Sequence, residues 1–227
     1  MKSLDQPLKS SGRMAKNYDR AAKFYELSAK VFSTGQIKAS KRSQLKYIKP
    51  GDRVVYLGTG GGEDALLAAR AGAQVTCIDI SAKMLRQVER KLAKENLSAE
   101  LICQSAFDHD RFDHYDICAA NYFLNVFREQ DMVRMMEHSA RLVRPGGRYL
   151  IADVALAQGN PLSRIFNVTY LKSAMIGAWA GGLVPVHKNY DYCKHFEGCG
   201  LKTGGVEFFR FMKRGPVLFQ SIMGERI

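Results

Sequence analysis

Five cysteines are all that this 227-residue chain carries, and their placement excludes more than it offers. Cys77, Cys103 and Cys118 sit inside apolar runs, with Cys193 and Cys199 near the C-terminus. The number is odd and no metal-type spacing occurs, so they read as buried thiols of a reducing compartment. The opening Met-Lys-Ser-Leu-Asp-Gln lacks the apolar core of a signal peptide, and residence in the cytoplasm is the expectation. Tryptophan occurs once, at Trp179. Negative charge is scarce too: 22 Asp and Glu stand against 34 Lys and Arg, for a net +12. Residues 1–50 hold nine Lys and three Arg against Asp5, Asp19 and Glu26, which gives that segment +9. No nucleic-acid-binding motif accompanies the charge, so nucleic acid is not expected as a partner. A solvated basic segment and an anionic membrane surface stay open; at a membrane each basic residue contributes about 1 kcal/mol.

What the chain does have is enough apolar matter for one core, 46% of its residues, and a strict alternation of element types. The periodicity predicts strands at 53–57, 74–79, 99–103, 115–120 and 147–153, with helices at 63–71, 81–95 and 129–143 between them, the second opened by Ser81. Two closing strands, Val206–Phe211 and Val217–Met223, are joined by Lys-Arg-Gly-Pro, a turn short enough for an antiparallel hairpin at one sheet edge. The expected architecture is α/β: a Rossmann-like, mostly parallel seven-stranded sheet, one antiparallel edge strand, helices on both faces. Residues 1–44 form a basic helical, partly flexible lead segment, and 45–227 one domain with an insertion at 156–195.

The most informative stretch is Val54-Val-Tyr-Leu-Gly-Thr-Gly-Gly-Gly-Glu-Asp64. Gly58, Gly60 and Gly62 directly follow a β-branched run, which lets the chain turn tightly and its backbone approach a ligand. Asp79 ends the second apolar run 23 residues beyond Tyr56, close to the spacing of roughly twenty that puts a carboxylate beside ribose hydroxyls. Loop and acid together define a nucleotide-binding half.

The ordered set Val-Val-Tyr-Leu-Gly-Thr-Gly-Gly-Gly, Ile-Asp-Ile-Ser-Ala-Lys-Met-Leu, Phe-Asp-His-Tyr-Asp-Ile and Leu-Val-Arg-Pro-Gly-Gly resembles the class I S-adenosylmethionine-dependent methyltransferases over residues 45 to 155. Tyr18-Asp-Arg-Ala-Ala-Lys-Phe-Tyr25 resembles the start of their quinone-methylating branch. The resemblance implies S-adenosylmethionine as cofactor, with contacts from Tyr56, Gly58, Thr59, Gly60, Asp79, Ile80, Met84, Ser105, Ala106, Phe107 and Asn121. Two positions depart from the pattern. Tyr56 stands where those enzymes place an acid, and Ser105 where they often place aspartate; both changes remove negative charge near the cofactor amine. A carboxylate beside an amine favours its protonated form, so its loss favours a neutral, nucleophilic amine.

That departure resembles the RquA family of rhodoquinone-biosynthesis proteins, in which a Val-x-Tyr-x-Gly-x-Gly pattern replaces the acid. The resemblance implies amino transfer from the cofactor to ubiquinone, replacing a ring methoxy group, with manganese as a helper. The alternative is methyl transfer to a quinone or other lipid-like acceptor, with Tyr56 merely packing against the adenosyl group. Residues 161–186 are apolar but interrupted by Arg164 and Lys172, too charged to span a bilayer. They read as an amphipathic lid or interfacial helix carrying Tyr170 and Trp179, or as an ordinary core helix. An isoprenoid quinone and an anionic inner-membrane surface are the expected partners. Tyr56, Asn121 and Asp153, the last two at predicted strand ends facing the crevice, are the catalytic candidates. Asp153 with Asn121, joined by His187, is the candidate manganese site, since a hard divalent ion prefers oxygen ligands; the plain alternative for Asp153 is a cap or turn acid.

Overall fold

The computed structural model of the chain describes residues 35–157, 161, 169, 189–211 and 215–227. Within them the apolar runs become strands: β1 Arg53–Leu57, β2 Gln74–Asp79, β3 Glu100–Cys103, β4 Tyr115–Ala119 and β5 Val143–Val154, then β6 Leu201–Arg210 and β7 Val217–Arg226. Charged amphipathic stretches between them become helices. A short α1, Gln36–Arg42, runs into a 3-10 turn at Ser43–Tyr47; α2 is Glu63–Arg70, α3 Ala82–Ala93, α4 Glu129–Ala140 and α5 Cys193–Phe196. Ser81 caps α3 as its position predicts, its hydroxyl accepting from the Met84 backbone N–H at 3.2 Å.

The seven strands lie in the order β3-β2-β1-β4-β5-β7-β6. β1, β2, β3, β4 and β5 pair in parallel, and β7 runs antiparallel to both β5 and β6. The expected class is therefore present, with one correction: the antiparallel strand is not the edge but lies inside it, and β6 is the edge. Burial explains the order. Val217–Ile222 of β7 is buried without a break, whereas β6 is exposed from Lys202 to Gly204 and alternates half-buried with exposed positions from Gly205 onward. β5 also starts four residues earlier than its sequence pattern predicts. Val143 already pairs with Tyr115, and Arg144-Pro-Gly-Gly147 is taken up as an irregularity before Arg148 pairs with Ile117.

Alternate residues of β1 feed two cores. Val55 and Leu57 pack with Met132, Met135 and Met136 of α4. Val54 and Tyr56 pack on the other face with Ala65, Ala68 and Ala69 of α2 and Leu85, Val88 and Leu92 of α3. Since β1 sits between β2 and β4, the strand order reverses at β1/β4 and a crevice opens beyond their carboxyl ends, where such sheets bind ligands. The segment before β1 closes over that crevice.

Candidate functional site

The glycine loop leaves β1 with Gly58, whose N–H donates to the Ile78 carbonyl at 2.9 Å. Gly58, Gly60 and Gly62 have φ of 65°, 49° and 71°, the left-handed region. A Cβ on Gly58 would stand 2.4 Å from Phe123 Cδ2 and one on Gly62 2.6 Å from Val88 Cγ2, so internal packing demands both. A Cβ on Gly60 would meet nothing within 4 Å. Gly60 thus borders open space.

Asp79 ends β2 beside this loop. Its Oδ2 accepts from Thr59 Oγ1 at 3.2 Å and its Oδ1 from the Ser81 backbone N–H at 2.9 Å. Burial raises its pKa, while these bonds and the backbone amides of Thr59 and Gly60 pull the other way. Ile80 follows at 37% exposure. Ser105, Ala106 and Phe107 open the turn after β3. Ser105 Oγ accepts from the Phe107 N–H at 3.3 Å, and the Phe107 ring meets Phe127 edge-on with centroids 6.1 Å apart.

Tyr56 is buried on the face toward α2, and burial first, then the charges of Asp64 and Cys77, push its hydroxyl pKa well above the ordinary tyrosine value. It is a neutral residue at any ordinary pH. The neighbourhood is not stripped of carboxylate, however, as the residue types alone imply. Asp64, in the first turn of α2, stands near Tyr56, and its Oδ2 takes Lys41 Nζ at 3.0 Å and Asn121 Nδ2 at 3.3 Å. In the sequence Asp64 carries no sign of this role, because it reads as an ordinary first-turn acid favoured by the helix dipole.

Asn121, just past β4, has all four hydrogen-bonding positions of its amide filled by protein. Oδ1 accepts from Gln44 Nε2 at 2.9 Å and from the Ala152 N–H at 2.8 Å; Nδ2 donates to Gln44 Oε1 at 2.8 Å and to Asp64. Tyr122 follows with φ 52°, unusual for a bulky side chain, and its hydroxyl meets Ser40 Oγ at 3.0 Å. The charged segment before β1 is therefore fastened to the crevice by Lys38–Glu63, Ser40–Tyr122, Lys41–Asp64 and Gln44–Asn121.

Residues 54–147 match a methyltransferase domain model. Ribosomal protein L11 methyltransferase of Thermus thermophilus is 27% identical over 137 residues, 59% of this chain and 52% of that protein, so the chain spans about half of that relative's length. Demethylmenaquinone methyltransferase of Streptomyces avermitilis is 27% identical over 169 residues, covering 74% of this chain and 71% of the relative. Among solved structures, magnesium protoporphyrin IX methyltransferase of Synechocystis, with S-adenosylmethionine bound, superposes with a TM-score of 0.69 at 15% identity over 99% of this chain and all of that one, 100%. The chain shares the Rossmann-like fold of that methyltransferase, and residues 54–147 are similar to a methyltransferase domain.

The residues around the crevice fit an adenosyl cofactor. The space beside Gly60 is open, and Asp79 presents a carboxylate held by the loop it faces. Met84 lies in the first turn of α3 behind Asp79. Manganese does not fit as expected. Asp153 is buried at the end of β5 with both oxygens taken by donors: Oδ1 by Asn125 Nδ2 at 2.7 Å and by the Val154 N–H at 2.7 Å, Oδ2 by the Tyr192 hydroxyl at 2.6 Å. These bonds make Asp153 a tie between β5, the β4–α4 loop and the segment before α5. His187, its expected co-ligand, lies outside the described residues, as do Tyr170 and Trp179. Among the described residues no group of three His, Cys, Asp or Glu could hold a metal.

Proposed function

We propose that the protein binds S-adenosylmethionine and transfers a group from it to a quinone or similar lipid-like acceptor. The observation that carries the reading is the open ground beside Gly60 at a strand-order reversal, flanked by the Asp79 carboxylate. When bound, the cofactor supplies an electrophilic methyl group on a sulfonium. The protein's part is to seat the ribose on Asp79, to let the ligand approach the backbone at Gly60, and to cover the crevice with α1. Methyl transfer is the first reading, supported by the methyltransferase relatives, with demethylmenaquinone methyltransferase pointing to a quinone acceptor.

Amino transfer to ubiquinone, in the manner of rhodoquinone biosynthesis, is the second reading, and Tyr56 favours it. A neutral, buried tyrosine replaces a fixed charge at the end of β1, which raises the share of unprotonated cofactor amine. Asp64 works against this by returning a carboxylate to the neighbourhood. The basic residues 1–50 support a peripheral position on an anionic inner membrane, where such an acceptor resides. Incubating the protein with ubiquinone or a demethylated quinone and cofactor labelled separately on the methyl carbon and amino nitrogen decides between the readings. Carbon label in the quinone supports methyl transfer and nitrogen label amino transfer; neither label in any quinone, with cofactor bound, refutes a quinone acceptor. Flotation with anionic vesicles at low and high salt tests the membrane assignment, which fails if salt-sensitive binding is absent.

A further inference from the structure

Two charged groups in the crevice are held together yet incompletely used. Asp64 and Lys41 form an ion pair at 3.0 Å with side chains only 13% and 24% exposed, where such pairs are scarcely solvated. Both bonds of Asp64 fall on Oδ2; its Oδ1 is bonded to no described residue. A half-buried carboxylate oxygen without a donor is costly, and a donor arriving with a ligand removes that cost. Lys41 carries three N–H donors against one carboxylate partner, with the Tyr122 ring 5.6 Å below its ammonium. It retains donors for a second anion. The neighbouring charges are engaged elsewhere: Glu63 with Lys38, Lys91 with the Gly61 carbonyl, Asp79 with Thr59 and Ser81.

We propose that Asp64 and Lys41 are the clamp for the amino-acid end of the cofactor, Asp64 Oδ1 receiving the ammonium and Lys41 the carboxylate. This rests on the cofactor reading above. The physical reason for assigning a zwitterion is charge balance. An ion pair in a poorly solvated cleft admits a ligand with one charge of each sign without stranding either partner, because each protein charge gains an opposite one. A ligand with a single charge leaves one side uncompensated, and a neutral arm gains nothing. The clamp also spans two elements: Asp64 is fixed on α2 next to the glycine loop, and Lys41 belongs to α1 on the cover. The ligand's arm thereby bridges loop and cover, and its amino group comes to rest beside Tyr56, where its protonation separates the two readings of the reaction.

Calorimetric titration of the full chain with three ligands tests this: S-adenosylmethionine, its decarboxylated form, and 5′-methylthioadenosine, which has the adenosine but no amino-acid arm. Asp64→Asn should weaken S-adenosylmethionine about tenfold or more while leaving 5′-methylthioadenosine unchanged, the loss expected of a charge-assisted bond. Lys41→Met should bring S-adenosylmethionine down to the affinity of the decarboxylated form, which itself should bind both proteins alike. Unchanged S-adenosylmethionine affinity in Asp64→Asn overturns the clamp, and so does an equal loss of all three ligands, which marks Asp64 as a structural strut. A wild-type chain that binds none of the three overturns the cofactor reading itself and the clamp with it.

Discussion

The Asn121 amide invites a substitution that changes almost nothing in shape and a great deal in charge. Asn121→Asp keeps the acceptor that holds the Ala152 N–H at 2.8 Å but turns the donor facing Gln44 Oε1 and Asp64 Oδ2 into a second acceptor. Two hydrogen bonds become acceptor–acceptor contacts, one of them between carboxylates at about the 3.3 Å of the present bond. Rotating the Gln44 amide cannot repair both sides, since it has one donor end. Taking the cost of unsatisfied buried groups and discounting the repulsion for Lys41, the loss is about 3 kcal/mol at neutral pH, or about 6–12 °C in Tm for a chain of this size. The sign of the pH dependence follows. Beside Asp64 the new carboxyl has a folded pKa raised above its unfolded value of about 3.9, so its folded state keeps full stability below that pH and loses it as pH rises through the folded value. The deficit against wild type is therefore widest at pH 7 and narrows toward pH 4. Adding Asp64→Asn to the same chain should recover most of the loss, because the amide created at position 64 can donate to the carboxylate created at position 121 in place of the repulsion. Thermal melts of the two single variants and the double variant at both pH values read this directly. An Asn121→Asp protein that melts with wild type at pH 7, or a double variant additive in its losses, would refute the coupling of Asn121 to Asp64.

Three further expectations follow from the same geometry. Asp79→Ala should weaken S-adenosylmethionine about tenfold or more in calorimetry, at roughly 1.5–3 kcal/mol for charge-assisted bonds, and unchanged affinity would remove Asp79 from the ribose site. Gly62→Ala should lower stability by about 1–3 kcal/mol in denaturant titration, from its left-handed backbone and the approach to Val88, whereas Gly60→Ala, with open space at its Cβ, should cost stability less and cofactor affinity more. Asp116 is raised by burial but held down, at about 2, by hydrogen bonds from the Arg144 guanidinium at 2.5 Å and from the Arg53 backbone and side chain. Its contribution of about 2 kcal/mol is present above pH 4 and lost as pH falls from about 4 toward 2, so Asp116→Asn should destabilise at pH 7 and converge on wild type near pH 2.

The strands that could be read from the chain are those whose signal is local. β1 and β2 fall where their β-branched runs place them, and Ser81 announces α3 because a capping hydroxyl works on residues three positions away. The glycine loop and Asp79 were legible for the same reason: a tight turn and a strand-end acid are properties of short segments. What escaped depends on partners far along the chain. Nothing local to Gln44 or Asn121 declares that their amides meet across 77 residues, and Asp64 looks like helix-start chemistry until Lys41 and Tyr56 stand beside it. Asp153 was legible as a strand-end acid facing the site, but not the Tyr192 hydroxyl and Asn125 amide that occupy it. The placement of β7 inside β6 follows from its unbroken burial, which its sequence, half apolar and half polar after Phe219, does not announce.

The fastening of α1 across the crevice has a consequence for the order in which the molecule assembles. The ties of this segment join residues 23 to 82 positions apart and bring little of α1 itself into the core, where only Ser40 of that helix is buried. Contacts of this kind repay their loop-closure entropy only after β1, β4 and α2 already stand in place. α1 therefore docks late in folding and detaches early under native conditions, as a separate opening unit rather than part of the global transition. Backbone amides of α1 should exchange with solvent at a markedly lower opening free energy than those of β1, and ligand bound beneath the cover should slow the first group without altering the second. In that sense the cover is the part of the protein whose stability the ligand sets.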